Sequence, residues 1–272
     1  MHLKRTPMDR PEGVKFVWTG NGFGNALILA HLTRICADNG IPAVFRQHKT
    51  TAGLVDVPLS GPEHEGYYKH TWKGVRNTYL RKNCDEPVIV QYIKDVERLF
   101  GVDIGIMSHH DHVPVVYQEM PEIRGVDVAM WTQTGPWAPV RMWPHFPRLK
   151  EMFDAEGITY VDMTEIGAMG FACLNWVKKS KLYLGLETGT SHYVSQFANH
   201  KALILQSGFC PFVFWTYLYY YDCVRASVEC RYRPCFLTRD ESATGIECPH
   251  GHACMEQLAP ETVLAEVKRR LQ

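Results

Sequence analysis

Apolar residues in this chain come in short runs, and the stretches between them repeat with a helical period. The run VKFVWTG (14–20) ends in glycines and predicts a buried strand. Residues 24–39 then place Leu27, Ile28, His31, Leu32 and Ile35 on one helical face, and Gly40 supplies the stop. IPAVFRQ (41–47) predicts a second strand. A strand, a glycine turn, a helix and a strand in succession open a doubly wound α/β sheet. Residues 48–83 have weak periodicity and many Gly, Lys, His and Tyr, which predicts loops and an irregular hairpin. VIVQYIKDVERLFG (88–101) returns to a helix, with Tyr92, Ile93, Val96, Leu99 and Phe100 at helical spacing.

After VPVVYQEMPEIRG (113–125), which has two prolines and little helical pattern, the alternation starts again. Residues 126–135 predict a strand and a glycine turn, and further strands are expected at 158–163, 181–186 and 201–208. Helices are expected at 146–157, where Leu149, Met152 and Phe153 face inward, and at 169–180, 190–200 and 260–271. Pro260 is tolerated in a first turn, and Lys268, Arg269 and Arg270 suit the negative end of the last helix dipole. Two alternating units in series predict two Rossmann-like domains facing a cleft. The proline-bearing segment sets the boundary, giving domains 1–122 and 123–272.

Charge narrows the partners. The 29 basic and 29 acidic residues cancel, which argues against a general polyanion binder and predicts no nucleic-acid partner. A composition of 46% hydrophobic and 21% charged residues excludes disorder as the main state. No apolar run reaches the ~18 residues that span a bilayer. The opening MHLKRTPMDRPEGV has charge but no apolar core, so no secretory signal and no transmembrane segment are expected.

Nine cysteines without a signal predict reduced thiols in the cytoplasm. Cys36 and Cys173 fall in helix-like apolar stretches and are expected in the core. Cys230, Cys235, Cys248 and Cys254 crowd together near the end. Their spacings are looser than a CxxC…CxxC knuckle, and the group reads either as a structural zinc or iron site or as a compact loop of reduced thiols.

The stretch LYLGLETGTSHYVSQFANHKALILQSG (182–208) carries the most chemistry. A buried strand runs into Glu187, Thr188, Gly189, Thr190, Ser191 and His192, where a helix starts. Free N–H groups and the positive dipole end make such a turn an anion site. Gly189 admits close approach, the hydroxyls add donors, and Glu187 can accept from sugar hydroxyls. An ordinary capped helix, with Thr190 or Ser191 as the cap, explains the same residues. Two other segments have competing readings. SHHDHV (108–113) is a metal site or a polar loop, and FVFWTYLYYY (212–221) stacks a base or sugar, joins subunits or packs a core. No Ser-His-Asp order and no Walker-type loop stands out.

Glu187, Thr188, Gly189 and His192 also resemble the end of the bacterial heptosyltransferases, glycosyltransferase family 9, where Asp usually stands in place of Glu187. The tail 230–267 is similar to that family's closing pattern at Cys248, Pro249, Gly251, His252, Cys254 and Met255, and again at Pro260, Glu261 and Val263. The segment 132–149 resembles the first loop of the family's donor domain at Thr132, Thr134, Gly135, Arg141, Trp143 and Pro144. TGNGFGNALILAHL (19–32) resembles the family's opening motif, with Gly24 in the glycine position and Asn25 where the family has the Asp assigned as general base. The resemblance covers nearly all of 126–272 and two islands, 15–39 and 87–101, so the acceptor-side domain is shortened.

The resemblance implies a GT-B glycosyltransferase that moves a sugar, with ADP-heptose the leading donor, from a nucleotide-diphosphate sugar to a hydroxyl acceptor, with inversion and without a metal. It implies donor contacts from Thr132, Thr134, Arg141, Glu187, Thr188, Gly189 and His192. The acceptor, a glycan, a lipid-linked sugar or a protein, would lie near Gly22, Gly24 and Asn25. A guanidinium at position 141 would stabilise the departing diphosphate. A carboxamide takes no proton at neutral pH, so Asn25 equally fits a non-catalytic nucleotide-sugar-binding or scaffold protein.

Overall fold

A computed structural model describes residues 11–17, 23–46, 51–71, 88–105, 115–135, 139–198, 201–209, 222–224, 229–230, 235, 248 and 250–272. The first half holds β1 (Val14–Val17), α1 (Phe23–Asp38), β2 (Ala43–Arg46), β3 (Tyr68–Thr71) and α2 (Val88–Phe100). The second half holds β4 (Val128–Trp131), α3 (Phe146–Glu156), β5 (Tyr160–Asp162), α4 (Phe171–Lys179), β6 (Leu182–Leu186), α5 (Gly189–Ala198), β7 (Ala202–Leu205), β8 (Asp222–Val224), α6 (Ala253–Glu256) and α7 (Pro260–Leu271).

The strands form two sheets, β2-β1-β3 and β5-β4-β6-β7-β8, and every described pairing between strands is parallel. The protein is thus α/β with two Rossmann-like lobes. The second sheet follows the flavodoxin-like order, and the order in which strands are added reverses between β4 and β6. Ligands of such sheets bind outside the carboxyl ends of the strands at that reversal.

Apolar periodicity places the core as expected. Val14 and Phe16 of β1 pack with Ile28 and Leu32 of α1 and with Tyr92, Ile93 and Val96 of α2. On one face of the second sheet, Val128, Met130, Leu184 and Leu203 meet Leu149 and Phe153 of α3 and Val263 and Val267 of α7. On the other face, Ala129, Tyr183 and Ile204 meet Leu174 and Val177 of α4. That last cluster also takes in Leu27 of α1 and Tyr193 of α5, with Phe23 packed against it, so one apolar seam joins the lobes. Val140 and Phe209, from the second half, sit in the core of the first lobe. Cys36 and Cys173 are core residues, and burial pushes each thiol up to about 12.

Three local features differ from the sequence pattern. The polar stretch that predicts a hairpin supplies β3, which pairs in parallel with β1. As an edge strand it needs no continuous apolar run. The segment before β4 lies against α4 through one buried side chain, Asn175. Its Oδ1 accepts from Tyr117 Oη at 2.9 Å and from the Met120 N–H at 2.8 Å, and its Nδ2 donates to Gln118 O at 2.7 Å. The cap of α5 is Thr188 rather than Thr190 or Ser191: Thr188 Oγ1 accepts from the Ser191 N–H at 3.4 Å. Ser191 Oγ instead donates back to Leu186 O and pairs with Tyr183 Oη at 2.9 Å.

Phe153 has no solvent exposure and stands at the centre of the contact between α3 and the second sheet. Phe153→Ala is expected to lower unfolding stability by about 3–5 kcal/mol. Urea titration followed by tryptophan fluorescence would show it as a fall in the midpoint with little change in slope.

Candidate functional site

At the reversal point, Thr132 follows β4, and Glu187 and Thr188 follow β6. A 3-10 turn at Pro139–Arg141 brings in a guanidinium. Arg141 is 5% exposed, and one of its N–H groups donates to the main-chain oxygen of Glu187, itself 4% exposed. The guanidinium lies over the Phe209 ring, 5.2 Å from its centroid. The turn after Leu186 and the cation at position 141 therefore share one place.

The first lobe closes on the same place. The N-termini of α1 and α5 meet through glycine. A β-carbon on Gly189 would stand 2.5 Å from Gly24 N, and one on Gly24 would stand 3.1 Å from Gly189 Cα and 3.0 Å from His192 Cδ2. Only residues without side chains allow that approach. Both helix dipoles then present their positive ends to one region, beside a buried guanidinium. Asn25 is half-buried in the first turn of α1.

His192 is buried, and its imidazole pKa is pushed down to about 3, first by burial and then by the positive charge of Arg141. The ring is therefore neutral at physiological pH and keeps one donor and one acceptor nitrogen.

On the far side of the reversal point a network appears that the sequence pattern did not reveal. Asp162, at the end of β5, is 4% exposed and accepts from Thr132 Oγ1 at 2.9 Å and from the Thr164 N–H at 3.0 Å. Lys150 of α3 bonds Asp162 Oδ2 and Glu165 Oε1, each at 2.6 Å. Burial alone would raise the Asp162 pKa, but the hydrogen bonds from Lys150, Thr164 and Thr132 outweigh it and hold the carboxyl low. The Lys150 ammonium is likewise held charged against burial by the two carboxylates. Asp162 thus fixes the Thr132 hydroxyl, whose oxygen also pairs with Thr164 Oγ1 at 2.6 Å. A strand-end Asp and a helix Lys facing each other were the only signal, and nothing in their spacing marks it.

The structure thus brings Gly24, Arg141, Glu187, Thr188, Gly189 and His192 to one region, with Thr132 at its edge. Thr134 lies in the loop toward Arg141, its N–H on Met142 Sδ at 3.3 Å. Gly22, the SHHDHV segment at 108–113 and the aromatic run at 212–221 lie outside the described residues.

The late cysteines meet only in part. Cys254 Sγ accepts from the Gly208 N–H at 3.3 Å, and Cys235 Sγ lies 3.5 Å from Gly208 O. Cys235 and Cys248 pack on the first core and Cys254 on the second. Cys230 is half-buried and a free thiol. Among the described residues no group of three or more His, Cys, Asp or Glu could hold a metal ion. Among the described residues no helix is long and apolar enough to cross a membrane.

A neutral His192 makes folding sensitive to acid. Its unfolded value near 6.5 lies above the folded value of about 3. The unfolded chain therefore binds the proton first, and stability present above pH 6.5 is lost as pH falls toward 3. The slope from this group alone reaches about 1.4 kcal/mol per pH unit inside that window. Imidazole NMR signals should show His192 without a titration step between pH 5 and 8, and His192→Gln should flatten the pH dependence of the urea midpoint.

No protein-family model matches the sequence, and no curated protein matches it. Among solved structures the chain is similar to the dodecameric iron-containing heptosyltransferase TibC in complex with ADP-D-β-D-heptose. The TM-score is 0.63 at 15% identity, over 97% of this chain and 78% of that one. TibC from enterotoxigenic E. coli H10407, an iron-containing dodecameric glycosyltransferase, gives 0.64 at 14% identity, over 97% and 77%. The E. coli ADP-heptose LPS heptosyltransferase II gives 0.49 at 13% identity, over 95% and 98%. Together with the two parallel sheets, the likeness to TibC establishes the fold: two Rossmann-like lobes of the GT-B type.

Proposed function

We propose that this chain is a glycosyltransferase of the family 9 type, which moves a sugar from a nucleotide-diphosphate sugar to a hydroxyl acceptor. The observation that carries the reading is the meeting of Arg141 with the Glu187 carbonyl at the sheet's reversal point, against the N-terminus of α1. ADP-heptose is the leading donor, supported by the likeness to TibC, whose structure holds ADP-D-β-D-heptose.

In this reading the acceptor oxygen attacks the anomeric carbon and inverts it. The bond from that carbon to the diphosphate oxygen breaks, and its electron pair stays on the diphosphate. The guanidinium of Arg141 and the two helix N-termini meet the growing charge, and the transfer draws on no metal. Thr132, Thr134, Glu187, Thr188, Gly189 and His192 complete the donor site, and Gly22, Gly24 and Asn25 face the acceptor. The chain divides into an acceptor-side domain, 1–122, and a donor domain, 123–272. The acceptor is a glycan, a lipid-linked sugar or a protein, and the reaction runs in the cytoplasm, where the thiols stay reduced.

The acceptor proton must also leave, and Asn25 supplies no base. That one residue favours a second reading, a protein that binds the nucleotide sugar without turning it over. ADP release by the wild type separates the two, and Asn25→Asp tests the place of the missing base. A carboxylate suits the first turn of a helix, so the variant should fold.

ADP-D-β-D-heptose is expected to raise the melting temperature of both proteins. Asn25→Asp should release ADP from it faster than the wild type by about 10²-fold or more. Thermal stabilisation with no ADP release from either protein, across several hydroxyl acceptors, would favour the binding protein. Absence of stabilisation by ADP-D-β-D-heptose and by other nucleotide sugars would remove both readings.

A further inference from the structure

Gln206 directly follows β7, and its main chain still belongs to the sheet, with its N–H donating to Val224 O at 2.9 Å. Leu186 and Leu205 are partners across β6 and β7. Glu187 and Gln206 are therefore the next residues on adjacent strands, at one carboxyl edge. Gln206 is 4% exposed. Its carboxamide oxygen is buried and accepts no hydrogen bond among the described residues. An acceptor taken out of water without a donor destabilises a fold, and native proteins keep few of them without a use.

The course of the chain says which part of a donor this oxygen would meet. Arg141 and the N-terminus of α5 mark the place for the phosphates. Thr132 and Asp162 lie on the β4–β5 side of it, and Gln206 lies on the β7 side. Past Gln206 the chain turns toward the first lobe, where Phe209 enters that lobe's core beneath the Arg141 guanidinium. Gln206 thus lies on the side of the phosphate position from which the chain runs to the lobe that holds Gly24 and Asn25. In a nucleotide-diphosphate sugar, the group that must face the acceptor side is the sugar.

We propose that Gln206 reads the sugar of the donor: its Oε1 accepts a hydrogen bond from a hydroxyl of the sugar to be transferred. The proposal rests on the donor-site reading above and adds to it a residue that discriminates sugar from nucleotide.

Gln206→Met keeps the length of the side chain and removes the acceptor. Calorimetric titration with ADP and with ADP-D-β-D-heptose reads the two parts of the donor separately, with Arg141→Gln run alongside. Gln206→Met is expected to bind ADP-D-β-D-heptose about tenfold more weakly, to hold ADP within about twofold of wild type, and to melt no lower. Arg141→Gln should weaken both ligands. If Gln206→Met binds the sugar nucleotide as wild type does, or loses ADP equally, Gln206 does not read the sugar; a loss in Arg141→Gln then leaves the donor site standing. If Arg141→Gln changes neither affinity, or wild type binds neither ligand, the donor-site reading falls and Gln206 with it. Should Gln206→Met not fold, Gln206→Asn withdraws the oxygen by one methylene and carries the same expectation.

Discussion

The contact between Gly24 and Gly189 sets the geometry of everything around it. Each residue opens a helix, each helix follows the carboxyl edge of a parallel sheet, and the two backbones approach to distances that a β-carbon would forbid. Side chains at either position would push the helices apart by roughly the thickness of a methyl group and separate their dipoles. With glycine at both, two positive helix ends meet in one region. Each end is equivalent to about half an elementary charge, and the Arg141 guanidinium adds a full one. A region with that field favours an anion before any hydroxyl is counted. The apolar seam of Phe23, Leu27 and Tyr193 holds the arrangement closed.

The field also explains the neighbouring titratable groups. His192 is neutral because burial and Arg141 both oppose a second positive charge there. Asp162, at the end of β5, stays ionised because Lys150 and two threonines bond its oxygens. The site thus separates its charges by place: cation and helix ends toward the interlobe seam, carboxylate and ammonium toward β5. A hydroxyl held by an ionised carboxylate, as Thr132 is by Asp162, has spent its proton on that carboxylate.

Much of this was legible in the sequence because parallel strands buried on both faces are short apolar runs. β1, β2, β4, β5, β6 and β7 all fall where such runs occur, and the helix faces of α2 and α3 are those the period predicts, whereas α1 is buried nearly all round. The turn at Glu187–His192 was legible for the same reason, since a fully apolar run ended there in small and polar residues. Features that depend on residues far apart were not. β3 and β8 are edge strands with mixed composition. Thr188 becomes the cap only because Ser191 is turned inward to Tyr183 and Leu186. Lys150 and Asp162 meet only when α3 packs across the sheet. Gln206 falls inside the strand expected at 201–208 with nothing to mark it, and only the burial of its oxygen sets it apart.

Phe209 belongs by chain order to the second lobe and by packing to the first. Such a residue acts as a rivet. Any excursion that parts the two sheets must first draw the ring into water, at a cost of about 3 kcal/mol, which holds the parted population near or below about one molecule in a hundred. Separation of the lobes is then opposed by the burial of that ring in addition to the seam of Phe23, Leu27 and Tyr193.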